Sequence, residues 1–307
     1  MKRAPQVLHI GFSKCASTYL RSLFRAHPSV HLVFKSGFFT PFLETEMTFP
    51  EYQSLFLDSP GIVNVESDEH LTLPGVHPTL GVRTTNLAEF ERVAERIREY
   101  LPDIRIIMVI RNQASLIVSR YSEYLITGGS LSFDRFADEL LGDTSGGNVW
   151  YQNYYCRMIG MLEQRFPRDH ILVLLQEAMR EDASTTASTI AEFIGLHDTL
   201  KLRDGLRSER RSLSAAGMRL LASINGRIIR RPSFGGAPPA TRVPLFVFRN
   251  VVRAVRACDY YALARISPKS SAVMTADRSR RILAHFREDN LRLQEYFGRD
   301  LAALGYL

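Results

Sequence analysis

Short apolar runs that alternate with helical segments constrain the fold of this 307-residue chain most strongly. The runs cover residues 7–10, 61–65, 104–110 and 171–175, and the third is apolar almost throughout, as is typical of a strand covered on both faces. Helical stripes of apolar residues follow most of them. This alternation predicts an α/β fold with a central parallel sheet and helices on both faces.

Composition indicates a globular chain, with 45% hydrophobic and 23% charged residues. Cys15, Cys156 and Cys258 lie far apart in the sequence, so we expect reduced thiols rather than a disulfide framework or a metal site. The first residues contain no apolar stretch long enough for a signal peptide or a membrane anchor. We therefore expect a cytoplasmic protein.

The domain organisation follows from length and pattern. We predict one domain over residues 1–307, because single α/β domains of this size bury a sizeable core. The periodic pattern weakens after residue 203, which predicts a basic, partly loop-rich insertion at about 203–275. Helical spacing of apolar residues then predicts a C-terminal helix at about 277–297.

The loop after the first apolar run is a candidate phosphate site. A loop between a strand and a helix binds phosphate because its N–H groups and the helix dipole point at the anion. This loop resembles a Walker A loop in the wrong register, since Lys14 comes early and Ala16 precedes Ser17 and Thr18. The run at 104–110 then ends in Arg111 rather than in an Asp that helps to hold magnesium, and an arginine binds phosphate directly.

Both segments resemble motifs of sulfotransferases that use 3′-phosphoadenosine 5′-phosphosulfate, in particular bacterial and carbohydrate or Golgi-type ones. GFSKCASTYL resembles their 5′-phosphosulfate loop, in which Lys is followed by a small residue, Gly and two hydroxyl residues. IIMVIRNQASLIVSRY resembles their 3′-phosphate motif, in which an Arg ending a strand is followed eight residues later by a Ser, as Arg111 is by Ser119. The resemblance covers most of the chain, except residues 225–275.

The resemblance implies a P-loop-like three-layer α/β/α fold. It also implies transfer of a sulfuryl group from that donor to a hydroxyl or amine of a carbohydrate, glycolipid or small natural product, without a metal. Lys14 would stabilise the charge that develops on the leaving phosphate. Arg111 and Ser119 would hold the 3′-phosphate. The residues expected to bind the 5′-phosphate are Cys15, Ala16, Ser17, Thr18 and Tyr19.

The general base is the most important point at which the chain departs from the family pattern. The segment 34–39 resembles a stretch that often carries a catalytic Glu before paired aromatics, but Lys35 or Ser36 stands there. An acidic cluster, residues 66–70, follows the second strand and should face the same sheet edge. It resembles a Ser-x-Glu segment of bacterial sulfotransferases and, less closely, a His-Leu-x-Pro segment of cytosolic ones. We predict Glu69 as the base, followed by His70, and then by Glu66 and Asp68.

Residues 201–256 carry 13 Lys or Arg against two acids, a local charge of +11 in a chain of net charge +7. Such a segment implies an anionic partner. In similar enzymes a late basic loop closes over the nucleotide, which here would use Arg207, Arg210 and Arg211.

Residues 245–264 admit two further interpretations. They could form an amphipathic surface for peripheral membrane contact or a lipid-linked acceptor, or a packed helix with a solvated arginine face, which the pattern favours. Nucleic acid is disfavoured because no binding module accompanies the charge.

Two other functions remain open from the sequence. A P-loop kinase would bind ATP with magnesium and show no preference for a 3′-phosphate. A catalytically silent nucleotide-binding protein would explain the missing Glu near Lys35. The sequence leaves the acceptor and the oligomeric state undetermined.

Overall fold

The computed structural model describes residues 4–34, 36, 38, 47–76, 83–84, 87–142, 154–198, 200, 212–231, 239–266 and 273–307. The chain divides into two compact units. The first comprises residues 1–74, 85–111 and 154–209, and the second comprises residues 75–84, 112–153 and 210–307. A single domain over the whole chain stays a prediction.

The strands are β1 (Val7–Gly11), β2 (Val30–Phe34), β3 (Val63–Ser67), β4 (Gly75–Val76), β5 (Arg83–Thr84), β6 (Arg105–Ile110), β7 (Ile171–Leu175), β8 (Ile229–Arg231) and β9 (Ala240–Thr241). Five of them form a parallel sheet in the order β2-β3-β1-β6-β7, and all five belong to the first unit. Helices flank this sheet. The predicted α/β architecture is therefore confirmed.

The helices are α1 (Ser17–Ala26), α2 (Phe49–Ser54), α3 (Leu87–Tyr100), α4 (Gln113–Ile126), α5 (Phe133–Leu141), α6 (Tyr155–Glu163), α7 (Gln176–Glu181), α8 (Ala183–Ile194), α9 (Ala215–Ile228), α10 (Leu245–Cys258), α11 (Ala264–Ile266) and α12 (Ala276–Phe297). A 3₁₀ turn covers Arg168–His170, and a π-helical turn covers Asp259–Leu263. Across the described part of the chain, every helix is too short or too polar to cross a bilayer.

The core of the first unit explains why its strands are so apolar. Every residue of β1 is buried, and so is every residue of β6 after Arg105. β1 lies in the middle of the sheet between β3 and β6. The loop after β1 therefore lies between the carboxyl ends of two neighbouring strands, where ligands of open α/β sheets bind.

The position of β3 corrects the sequence prediction. The strand was expected at 61–65, with the acidic cluster outside it, but it runs from Val63 to Ser67 and so includes Glu66. Its pairing with β2 continues to Ser67. The two polar residues stay in the strand because their side chains find buried partners, Ser67 with His9 and Glu66 with two hydroxyl groups.

In the second unit, buried polar side chains connect the helices. The amide of Gln113 on α4 donates to Asn290 Oδ1 on α12 at 2.6 Å, and Asn290 Nδ2 donates to the Tyr306 carbonyl at 2.6 Å. On α9, Asn225 Nδ2 donates to the carbonyls of Leu125 and Gly129, each at 2.7 Å. Each bond satisfies groups that would be costly to bury alone.

Candidate active site

The phosphate loop begins at Gly11, the last residue of β1. Gly11 has φ +117°, and a Cβ there would lie 2.7 Å from Thr72 Oγ1 and 3.2 Å from the Glu69 carbonyl oxygen. Both the backbone conformation and the close approach require glycine. The loop therefore packs directly against the segment that follows β3.

The loop holds two non-glycine residues in left-handed conformations, Lys14 with φ 68° and Ala16 with φ 60°. The Cys15 N–H donates to the Phe12 carbonyl at 3.1 Å and closes the turn between them. A left-handed alanine costs about 1 kcal/mol or more, and strain of this kind concentrates at functional sites. Ala16 stands where the resembling sulfotransferase loop has Gly, so the backbone keeps the conformation that glycine would favour.

The amino terminus of α1 lacks a side-chain cap. Ala16 is the N-cap residue and makes no side-chain hydrogen bond, and the first turn contains no acidic residue. The first helical hydrogen bond runs from the Leu20 N–H to the Ala16 carbonyl at 3.0 Å. Helix geometry leaves the preceding N–H groups for an anion, which the helix dipole also attracts. These groups belong to Ser17, Thr18 and Tyr19.

Arg111 links the end of β6 to the phosphate loop. Its Nη1 donates to the Lys14 carbonyl at 3.3 Å, and its own carbonyl accepts from Tyr155 Oη at 2.5 Å. The Tyr155 ring packs edge-on against Phe12 with 5.2 Å between centroids. Burial lowers the pKa of Arg111 below its usual value, yet a guanidinium remains charged at neutral pH. The structure thus brings Arg111 to the loop that carries Lys14.

Ser119, Arg210 and Arg211 were also predicted to bind the donor. Ser119 is buried on α4 in the second unit. Arg210 and Arg211 lie outside the described residues.

Glu69 lies against the first turn of α1. Its carboxylate accepts a hydrogen bond from Ser17 Oγ, and its Oε2 is 3.8 Å from Arg21 Nη1. Arg21 also donates to Thr18 Oγ1 at 3.3 Å and places its guanidinium 4.2 Å from the Phe34 ring centroid. The predicted base is therefore beside the helix terminus that we expect to bind phosphate. Arg21 was missed by the sequence analysis, although helical spacing places it one turn after Ser17.

His70 is anchored by the neighbouring Asp68. The His70 backbone N–H donates to Asp68 Oδ1 at 2.9 Å, and the imidazole Nδ1 is 3.9 Å from the same oxygen. The His70 side chain is 26% exposed, whereas that of Asp68 is 3% exposed. Of the two, only the imidazole is open to a substrate. Within the part of the chain that the structure describes, His, Cys, Asp and Glu side chains form no group of three that could hold a metal.

Glu66 forms a buried carboxyl site next to the position of the missing family glutamate. It accepts hydrogen bonds from Ser36 Oγ at 2.5 Å and from Tyr52 Oη. Burial raises the pKa of Glu66 to about 7, although both hydrogen bonds oppose the shift. Ser36 is one of the two residues found where similar proteins often have Glu, so β3 supplies a carboxyl group at this place. The sequence analysis ranked Glu66 behind Glu69 and His70.

His9 on β1 is a buried histidine to which the sequence analysis gave no chemical role. Its Nδ1 is hydrogen-bonded with Ser67 Oγ at 2.8 Å, and burial lowers the pKa of His9 to about 4. The imidazole is therefore neutral at physiological pH. Among the described residues its Nε2 has no hydrogen-bond partner.

A central parallel strand, a glycine-initiated loop and an uncapped helix terminus flanked by Lys14 and Arg111 define a P-loop-like phosphate-binding protein. The sulfotransferase domain model matches residues 4–225, and the chain belongs to the sulfotransferase family.

A solved bacterial structure agrees with this fold. A sulfotransferase from Alicyclobacillus acidocaldarius matches with a TM-score of 0.59 and 17% identity, covering 98% of this chain and 98% of that chain. Mouse sulfotransferase SULT7A1 complexed with PAP matches with a TM-score of 0.39 and 13% identity, covering 66% of this chain and 61% of that chain. No curated protein matches the chain in sequence.

Proposed function

We propose that this sulfotransferase transfers the sulfuryl group of 3′-phosphoadenosine 5′-phosphosulfate to a hydroxyl or amine of a carbohydrate, glycolipid or small natural product. The observation that carries the proposal is the uncapped terminus of α1, which follows a strained loop bonded to Arg111. The positive charges of Lys14 and Arg111 and the N–H groups of the first turn of α1 suit a phosphosulfate. The end of β6 supplies an arginine instead of a magnesium-binding carboxylate.

The proposed donor site uses both sequence motifs. Ser17 and Thr18 would turn their hydroxyl groups to the 5′-phosphate, which the loop N–H groups bind. Arg111 and Ser119 would hold the 3′-phosphate and so select this donor over nucleotides that lack it. We extend the proposal to Arg210 and Arg211 as residues that close over the nucleotide. The loop N–H donors belong to Ala16, Ser17, Thr18 and Tyr19, while Cys15 belongs to the same donor site and closes the turn with its own N–H.

Lys14 would act on the leaving group. The donor supplies an activated sulfuryl group, and its bridging oxygen gains negative charge as the bond to sulfur breaks. An ammonium group held at this loop stabilises that charge more in the transition state than in the ground state, which raises kcat. Because Lys14 and Arg111 supply the positive charge, the proposed mechanism uses no metal.

Glu69 would accept the proton of the acceptor hydroxyl, with His70 as the second candidate. In the structure Glu69 accepts a hydrogen bond from Ser17. When Ser17 turns its hydroxyl to the donor phosphate, that carboxylate oxygen is released to bind the acceptor. His70 lies one residue further on, with its backbone fixed by Asp68 and its ring partly exposed.

The variant Lys14→Ala tests the proposed reaction. Release of 3′,5′-adenosine bisphosphate is measured with the donor and a panel of carbohydrate, glycolipid and phenolic acceptors. We expect kcat to fall by about 100-fold or more, because one electrostatic donor to a transition state contributes about that much. Arg25→Ala, which changes an exposed cation near the other end of α1, should leave turnover unchanged.

Two outcomes would contradict the proposal. Full turnover by Lys14→Ala would show that the lysine takes no part in the reaction. Tight binding of 3′,5′-adenosine bisphosphate by the native protein, without sulfation of any acceptor, would instead indicate a catalytically silent nucleotide-binding protein.

A further inference from the structure

The helix α10 and the π-helical turn after it expose an unusual set of side chains. We call it the arginine–aromatic face, and it consists of Phe246, Arg249, Arg253, Arg256, Tyr260 and Tyr261. The first five are separated by three or four residues, which places them along one side of the helix, and Tyr261 follows Tyr260 directly. Phe246 is 67% exposed, Tyr260 65% and Tyr261 68%, so the aromatic groups at both ends of the face are largely in water.

The opposite side of α10 accounts for the packing of this helix. Phe248, Val252 and Val255 are buried and follow the same helical spacing. The next polar residue on that side, Asp259, is also buried and accepts hydrogen bonds from the N–H and hydroxyl groups of Ser214. These buried residues pack the helix against the core, so Phe246 and the two tyrosines are not needed for that packing. A packed helix with a solvated arginine face explains the arginines but not the exposed aromatic rings.

The positive charge of this region is not balanced locally. Residues 239–265 contain one acid, the buried Asp259, and the ion pairs among described residues include none of the region's arginines. On α12, by contrast, Arg280 pairs with Asp277, and Arg292 pairs with Glu288. The exposed arginines of the region are Arg242, Arg249, Arg253, Arg256 and Arg265.

We propose that the arginine–aromatic face binds the surface of an anionic phospholipid bilayer. Phe246 and Tyr260 are fourteen residues apart, which is about 21 Å of helix, so the helix would lie flat with an aromatic group near each end. Aromatic side chains favour the boundary between headgroups and acyl chains, and the arginines between them bind headgroup phosphates. An acidic polysaccharide would engage the arginines but leave the Phe246 ring in water.

Vesicle sedimentation tests this inference. The native protein should bind vesicles of phosphatidylcholine containing about one third phosphatidylglycerol, and should bind vesicles of pure phosphatidylcholine weakly. Binding should decrease as salt is added, because screening weakens each arginine contact. The triple variant Arg249→Gln, Arg253→Gln, Arg256→Gln should lose about 100-fold in partition coefficient.

A second variant separates the aromatic contribution. Replacing Phe246, Tyr260 and Tyr261 with serine should weaken vesicle binding at every salt concentration. The substitutions remove the apolar contribution of the aromatic rings to the binding free energy, which does not depend on salt. The matched control is Arg280→Gln, Arg287→Gln, Arg292→Gln, which removes three exposed arginines from α12 and should bind like the native protein. Unchanged thermal unfolding of all three variants would show that their folds are intact.

Three results of the binding assays would overturn the inference. The first is equal binding of the native protein to neutral and anionic vesicles. The second is a loss of vesicle binding in the α12 control as large as that in the α10 arginine variant. The third is binding of the native protein to heparin without binding to anionic vesicles. Self-association of the native protein that the serine variant abolishes would also overturn it, because the face would then be covered by a second copy. Sulfuryl transfer in solution is a separate property, so failure here would leave the proposed function untouched.

Discussion

Glu66 shows how burial can change the chemistry of a single carboxyl group. It lies inside the first unit with two hydroxyl donors, from Ser36 and Tyr52, and its pKa is raised to about 7. The same carboxyl group in an unfolded chain has a pKa of 4.5. The folded state therefore binds this proton more tightly than the unfolded state does.

The sign of the pH dependence follows from this difference. Stability from Glu66 is fully present below pH 4.5 and is lost as the pH rises through about 7. A shift of this size corresponds to about 3 kcal/mol. We predict that Glu66→Gln gains up to that amount in unfolding free energy relative to the native protein when the pH is raised from 4.5 to 8. Urea unfolding at the two pH values measures it.

A surface carboxylate provides the control for this measurement. Glu192→Gln changes an exposed residue of α8 and should leave the pH dependence of unfolding as it is in the native protein. His9 titrates in the opposite direction, but it is present in both proteins, so its contribution cancels in the comparison. Identical pH profiles for the native protein and Glu66→Gln would contradict the raised pKa.

Among the elements, strands β1 and β6 were predictable because they are buried on both faces and their sequences are almost uniformly apolar. Strand β7 is only partly buried on one face, but its five residues are all apolar, so it was predictable as well. Strand β2 was not predicted. It lies at the sheet edge, its residues are only partly buried, and Phe34 at its end is exposed. A half-buried edge strand of five residues leaves a weak sequence pattern.

The candidate site was predictable to a similar degree. The loop after β1 and Arg111 were found because their residue types and spacing carry the chemistry locally. The contact between Ser36 and Glu66 joins residues 30 positions apart, and it depends on how β2 and β3 pair. Sequence patterns do not contain that information, so the place of Glu66 beside the missing family glutamate emerged only from the fold.

The segment after β3 presents the two candidates for the base side by side. We predict that Glu69→Gln lowers kcat by about 100-fold or more, since a positioned general base contributes about that factor. Donor affinity should be unchanged or higher, because the variant removes a negative charge beside the phosphate site. Steady-state turnover and donor titration measure these two effects.

The variant His70→Gln completes this test. It should retain kcat within about tenfold, because Glu69, the first candidate, remains in place beside Ser17. Full turnover by Glu69→Gln together with an inactive His70→Gln would transfer the role of base to His70.

At the scale of the whole molecule, the charge of +7 is unevenly distributed. Residues 201–256 carry +11, which leaves about −4 on the remainder of the chain by subtraction. A concentrated positive segment raises the encounter rate with anionic ligands and weakens with salt. Both the proposed nucleotide donor and the proposed lipid surface are anionic, so we expect each to bind more tightly at low ionic strength.

The central claim is that the protein recognises a nucleotide with a 3′-phosphate and a 5′-phosphosulfate. Thermal unfolding with 3′,5′-adenosine bisphosphate, ADP and ATP tests it directly, because a ligand that binds the folded state raises its stability by about 2.7 kcal/mol at 100 times its Kd. We predict a clearly larger increase in Tm with the bisphosphate than with ADP or ATP at equal concentration. An equal or smaller increase with the bisphosphate would contradict the account.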